Sequence, residues 1–258
     1  MVDDILIPYR QAVINDEPVE LFDGLFLYPV KMRDYITFSV CSSILKINKN
    51  ATNDPKVISM SYLDYIIYLM QNEEREKEPG KPNINEMFLE CLILLVTNKD
   101  GAEIRYGIDG NRKSFIMIDG VVLHKKEFDK FRKFILVQNI PDYKEEYINP
   151  ELEADLKKAD EIRNKGKTPC DIEKQMMAVV IGSSLTLEEV KEMTIRKFFI
   201  ALEMIDKKLH YTILKQASLS GFVEFKQEIT HYLVEDNRNI GDSVVDYSQF
   251  QNKINSVN

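Results

Sequence analysis

The chain contains three cysteines and three histidines, residue types that often act as nucleophiles, bases or metal ligands. Cys41, Cys91 and Cys170 are far apart in the sequence, and no two of them form a CxxC pair. Each lies in an apolar helical pattern, where a free cysteine behaves as a small hydrophobic residue. We therefore interpret all three as reduced, buried thiols of a cytoplasmic protein.

The histidines are equally scattered. His124 ends a predicted strand, His210 lies within a long predicted helix, and His231 precedes Tyr232 and Leu233. No HxxxH or HExxH spacing joins any two of them, so the sequence contains no recognisable zinc-binding pattern. The sequence therefore predicts no metal site and no catalytic histidine.

A pair of carboxylates, Asp109 and Asp119, could in principle perform acid–base chemistry. Each stands before a glycine, in a turn position that aspartate fills for backbone reasons. Gly107 and Gly110 lie nearby, but no GxGxxG or GxxxxGK[ST] phosphate-binding pattern includes them. We therefore assign no catalytic, cofactor-binding or metal-binding residue, and we predict a protein that is not an enzyme. An enzyme with an unrecognised site stays open as an alternative.

The two Asp-Gly turns indicate a three-stranded antiparallel meander near residues 102–124. Its predicted strands are Ala102–Ile108, Lys113–Ile118 and Val121–His124. A third Asp-Gly pair, Asp23-Gly24, predicts a hairpin with a type I′ turn between residues 20 and 30.

Helices are predicted wherever apolar residues recur every three or four positions. The charged segment Glu73–Asn83 has no such period and contains two prolines, so we predict a surface loop there. In the helix predicted at about 126–140, the residues expected to face the core are Phe128, Phe131, Ile135 and Leu136. The predicted helices span about 33–47, 55–73, 85–96 and 126–140.

The longest helical pattern lies between Thr186 and Gly221. Thr186 and Glu189 form a capping box, Thr194 is a second N-cap candidate, and Gly221 suits a helix end. We interpret this helix as a packing and docking device. Its shared apolar face holds Ile195, Phe198, Leu202, Ile205, Leu209 and Ile213.

These elements predict a mainly helical α+β fold. N-terminal helices with a small antiparallel β-meander precede a C-terminal helical bundle that contains one long helix. Lys165–Pro169 breaks a polar helix and marks the best domain boundary. The predicted organisation is a mixed α/β domain at 1–149, a helical connector at 150–169, a helical domain at 170–235 and a polar tail at 236–258.

Net charge and the distribution of apolar residues restrict the classes of function that the sequence allows. A net charge of −8 opposes binding to a nucleic-acid backbone. The acidic start Met1–Asp4 is unlike a signal peptide, and the apolar run Met87–Val96 is too short to cross a bilayer. These features predict a soluble protein with no membrane partner and no cofactor.

A helix-turn-helix outline is the main alternative from the residues. A helix, a tight turn at Gly182, a short helix and a second helix follow one another after residue 170. Arg196 and Lys197 could face DNA, but Glu188, Glu189 and Glu192 lie beside them and would repel phosphates. Nucleic acid is therefore disfavoured as a partner, while a DNA-binding regulator stays open.

Three blocks of the sequence resemble a family encoded among the tail and baseplate genes of phages that infect Gram-positive bacteria. They are LFDGLFLYPVKMRDYITF, DPKVISMSYLDYIIYLM and MTIRKFFIALEMIDKKLHYTILKQASLSGFVEFK, at residues 21–38, 54–70 and 193–226. The resemblance implies a non-enzymatic assembly or structural protein, with tail assembly chaperones as the nearest comparison. It implies tape-measure, tube or baseplate subunits as partners, and a location in the cytoplasm of the infected host or in the virion tail. Self-association into a homo-oligomer stays open.

Overall fold

The computed structural model of the chain describes residues 5–49, 54–78, 80–111, 113–141, 143, 158, 170–220 and 229–234. These residues form a mainly helical α+β fold with one two-stranded and one three-stranded antiparallel sheet, which confirms the predicted class. The chain divides into two compact units, residues 1–202 and 203–258. The predicted connector, apart from Lys158, the predicted helix end at Gly221 and the polar tail lie outside the described residues.

The first unit holds all the strands and most of the helices that the described residues form. Short 3-10 helices at Ile7–Tyr9, Met32–Asp34 and Ser42–Leu45 flank the first two α-helices. The helices are α1 Arg10–Asn15, α2 Tyr35–Cys41, α3 Pro55–Ser59, α4 Tyr62–Glu76, α5 Ile84–Thr97, α6 Lys125–Asn139, α7 Ile172–Gly182, α8 Leu187–Glu192 and α9 Ile195–Leu219. The strands are β1 Val19–Phe22, β2 Leu25–Leu27, β3 Ile104–Ile108, β4 Ser114–Ile118 and β5 Val121–Leu123.

The predicted meander is confirmed. Strands β3, β4 and β5 pair in order, with Ile104 opposite Ile118 and Ile118 opposite Val121. Asp119 and Gly120 both have positive φ values, 50° and 84°, as a two-residue type I′ turn requires. The sequence therefore identified both the sheet and the chemistry of its second turn.

The turn type predicted for the first hairpin is wrong. Strands β1 and β2 do pair, but within the turn only Gly24 has a positive φ, at 80°. The register also shifts between Glu20 and Phe22, and the carboxylate of Glu20 accepts a hydrogen bond from Gly24 N at 3.0 Å. This irregularity supplies the twist that a regular I′ turn would otherwise give.

The single helix predicted at 55–73 is interrupted. Met60 is extended, with ψ 149°, and Ser61 caps a new helix by accepting a hydrogen bond from Asp64 N. Helix α4 then continues to Glu76, so the predicted surface loop starts four residues later than expected, at Lys77. The helix predicted at 33–47 likewise shortens to α2 between two 3-10 turns. Ser61 caps the start of α4, whereas α2 has no side-chain cap at its first turn, and the apolar period runs across both boundaries without a break.

The core of the first unit forms around α4, which packs against both α5 and α6, and α4 and α6 also contact the meander. Phe128, Phe131, Ile135 and Leu136 of α6 are fully buried, as predicted. Burying such side chains contributes about 1.5–3 kcal/mol each before entropy is counted. This core is the platform against which the start of α9 is fixed.

Candidate protein-docking surface

The cysteines do not share one environment, so the prediction that all are buried is wrong. Cys41 is buried, Cys91 is half-buried and Cys170 is exposed, and all three are free thiols. Helices α2 and α5 bring Cys41 and Cys91 into hydrogen-bonding contact, a proximity that the sequence did not predict. Burial, with the nearby Cys91, raises the pKa of Cys41 to about 12, so this thiol stays protonated at neutral pH.

The histidines occupy separate surroundings. His124 Nδ1 lies 3.2 Å from the carbonyl oxygen of Ser114, whereas the ring of His231 packs against Tyr211 and Tyr232. His210 is exposed. Within the described ranges, no group of three or more histidines, cysteines and acidic residues is arranged to hold a metal ion.

The two predicted turn aspartates both accept hydrogen bonds from main-chain amides. Asp109 Oδ1 accepts hydrogen bonds from Asn111 N and Lys113 N at 2.9 and 2.7 Å. Asp119 Oδ1 accepts one from Glu103 N at 2.8 Å, and Lys99 pairs with its other oxygen. The Lys99 contact and the Glu103 amide lower the pKa of Asp119. Asp109 therefore stabilises its own turn, as the sequence predicted, whereas the carboxylate of Asp119 links its turn to Lys99 and Glu103.

The chain just before α9 is bound to the N-terminal part of the first unit. Met32 N donates to Met193 O, and Ile195 N donates to Val30 O, both at 2.8 Å, around a β-bridge between Lys31 and Thr194. This short ladder joins segments that are far apart in the sequence. It fixes where α9 begins.

Side chains strengthen the same junction. Thr194 Oγ1 donates to Asp16 Oδ1 at 3.1 Å, while Asp16 Oδ2 lies 2.7 Å from Lys197 Nζ. Arg196 Nη1 donates to Val137 O at 2.8 Å. The two basic residues of the helix-turn-helix hypothesis thus both have partners in the protein, and that hypothesis is left to a DNA-binding experiment.

A cavity of about 360 Å³ lies beside the first two turns of α9. It is mostly apolar, and Lys46 is its one charged lining residue among those described. Burial lowers the pKa of Lys46. The lining includes Tyr35, Phe38, Asn139, Ile195 and Phe199.

A second depression, of about 420 Å³, is lined by α1, the residues before it and the next positions of α9. We call it the α1/α9 groove. Its rim carries large aliphatic side chains that remain in water: Ile7, Ile14 and Ile200 are 68%, 56% and 40% exposed. Arg10 and Arg196 add positive charge to this apolar surface.

The apolar face of α9 changes character along the helix. Ile195 and Phe198 are buried, Leu202 and Ile205 are half-buried, and Leu209 and Ile213 are 58% and 62% exposed. The predicted periodicity is present, but only its beginning faces a core. The exposed end has the pattern of a helix that binds another surface.

Residues 163–235 match a family model described as the YomV second domain. YomV is a Bacillus phage-region protein, so this part of the chain is similar to a phage-associated domain family. No curated protein and no solved structure matches the chain. Among the described helices, none is long and apolar enough to cross a membrane. The expected relation to phage proteins is confirmed at this level, and a tail or baseplate role stays a prediction.

Proposed function

We propose that this protein works in the assembly of a phage tail or baseplate by binding other polypeptides, without catalysing a reaction. The observation that carries the proposal is the exposed apolar surface on α1 and α9, within and next to the phage-related segment. Its partners are tail proteins such as tape-measure, tube or baseplate subunits. The protein acts in the cytoplasm of the host cell and, if it is a permanent subunit, in the virion tail.

The physical argument concerns the clustering of large exposed side chains. Single exposed aliphatic residues are common, but contiguous apolar patches on a protein surface mark binding sites. Ile7, Ile14 and Ile200 border one groove, and Leu209 and Ile213 lie one turn apart on one helix face. Covering such surfaces with a partner removes apolar area from water, which contributes about 25 cal/mol per Å² before the entropy cost of association is subtracted.

A complementation experiment tests this function. A phage that lacks the gene is supplied with the wild-type protein, with Ile14→Glu or with Ile108→Glu. Ile108 is the matched control, because it is exposed to the same 56% but lies on the meander. We expect Ile14→Glu to lower the titre of tailed particles at least about tenfold, since a glutamate disrupts an apolar contact.

Electron microscopy and immunoblots of the particles complete the test. Detached heads or aberrant tails with Ile14→Glu, and normal tails with Ile108→Glu, are the expected results. Presence of the protein in mature virions would identify a permanent subunit, and its absence would identify an assembly chaperone. Normal tails without the gene would refute both. A salt-dependent shift of DNA by the purified chain would instead favour the regulator hypothesis.

A further inference from the structure

Two uncovered surfaces of this chain complement each other. The first is the α1/α9 groove, and the second is a face of α9 formed by Asp206, Leu209 and Ile213, which we call the distal face. We propose that the α1/α9 groove of one copy binds the distal face of a second copy, so that the chain associates head to tail. This inference rests on the proposed function by protein contact and specifies one partner, the chain itself.

The groove presents cationic and aliphatic groups together. None of the described residues forms an ion pair with the guanidinium of Arg10. Arg196 donates one N–H of its guanidinium to Val137 O, so other donors of this group remain. Ile7, Arg10 and Ile14 follow one another at intervals of three and four residues. The groove therefore suits a surface with aliphatic side chains and a carboxylate.

The distal face has that composition and the same spacing. Asp206, Leu209 and Ile213 are exposed and follow one another at intervals of three and four, so they share one side of the helix. The three residues of the distal face span roughly 10 Å along α9. Within the described part of the chain Asp206 has no ion pair, whereas neighbouring Glu203 pairs with Lys207 at 2.5 Å. The charge of the distal face is therefore opposite to that of the groove, and its residues have the same intervals in the sequence.

The described chain after α9 packs on another side of the helix. The ring of Tyr211 contacts His231 and Tyr232, at centroid distances of 5.0 and 5.7 Å. At about 100° per residue, Tyr211 points roughly 160° away from Leu209 and Ile213. This packing leaves the distal face accessible.

The distal face of the same copy cannot occupy the groove, so the proposed contact joins two molecules. Arg196 and Ile200, which line the groove, belong to the same continuous helix of 25 residues as the distal face. A continuous helix cannot fold back onto its own first turns. Because groove and face are different surfaces, the contact is heterologous and generates a ring or an open filament, unlike a two-fold dimer.

Analytical ultracentrifugation of the full chain tests the proposal. Wild-type protein is compared, from low to high micromolar concentration, with Arg10→Glu, with Asp206→Arg and with both changes together. Each single reversal places like charges at the contact, so we expect association to weaken at least about tenfold. The double variant restores the opposite charges and should recover most of the association. Glu173→Arg, an exposed change on α7, is the control.

Circular dichroism first establishes that every variant is folded. A wild-type chain that stays monomeric throughout the concentration range would refute the inference. So would a closed two-fold dimer, or a double variant that associates no better than the single ones. Each of these three results leaves the proposed function intact if tail proteins still bind the chain, so the two proposals fail separately.

Discussion

Asp64 joins three parts of the first unit through its carboxylate. Oδ2 accepts from Ser61 Oγ at 2.8 Å and lies 2.7 Å from Lys125 Nζ, and Oδ1 accepts from Ser114 Oγ at 2.6 Å. Burial opposes ionisation of this group, but the bonds from Lys125, Ser114 and Ser61 outweigh it and lower its pKa. The carboxylate is therefore stabilised in its charged form where α4, β4 and α6 meet.

Replacing Asp64 with asparagine should lower the free energy of unfolding at pH 7 by about 1–3 kcal/mol, because charge-assisted hydrogen bonds are lost. A depressed pKa stabilises the fold above the unfolded value of about 3.9, and that contribution disappears as pH falls through the folded pKa. Urea unfolding of wild type and Asp64→Asn at a series of pH values measures this. The two proteins should converge in acid.

Asp23→Asn is the control for this prediction, since Asp23 lies exposed in a turn. A constant difference between wild type and Asp64→Asn from neutral to acid pH would contradict the role given to the carboxylate. At the residue scale the sequence reveals Asp64 only as a polar residue in an apolar helix. Two of its three partners, Ser114 and Lys125, come from segments 50 and 61 positions away, and no periodicity encodes such contacts.

At the scale of elements, the entry into α9 is the critical junction. Thr194 Oγ1 accepts from Lys197 N at 3.3 Å, as an N-cap does, and also donates to Asp16. Asp16 is held in the left-handed conformation, with φ 61°, at the end of α1. The cap thus joins the start of one helix to the end of another.

Thr194→Ala should reduce stability by about 0.5–2 kcal/mol, because the cap and its bond to Asp16 are lost. Thr212→Ala is the matched control. The Thr212 side chain is exposed within α9, and its hydroxyl donates to Lys208 O of the same helix. Thermal unfolding measures the stability, and hydrogen exchange at residues 195–198 locates the change. Equal effects of the two substitutions would show that the junction contributes nothing special.

Sequence patterns predicted the elements that have strong local signals. The capping box of Thr186 and Glu189, the N-cap at Thr194 and the bounds of α6 agree with the structure to within one residue. The break at Ser61 was missed because apolar residues continue in period on both sides of it. The burial of Arg132, whose guanidinium lies 3.5 Å from the Tyr62 ring centroid, was also missed. A charged residue on an amphipathic helix is expected to face water.

At the scale of the whole molecule, the candidate surface arises from contacts between distant segments. The α1/α9 groove combines residues near position 10 with residues near position 200. The sequence predicted an amphipathic helix suited to docking, and that helix is present. It could not show which end of the apolar face is buried, because the β-bridge at Thr194 decides this. The groove itself had no signal in the sequence.

Affinity purification from cells that produce the phage tests the central claim most directly. Tagged wild type, Ile14→Glu and Ile108→Glu are recovered under mild conditions, and the bound proteins are quantified by mass spectrometry. We predict that tail or baseplate proteins accompany wild type and Ile108→Glu, and that Ile14→Glu recovers at least about tenfold less of them. Recovery of no tail or baseplate protein with the wild-type chain would contradict the account.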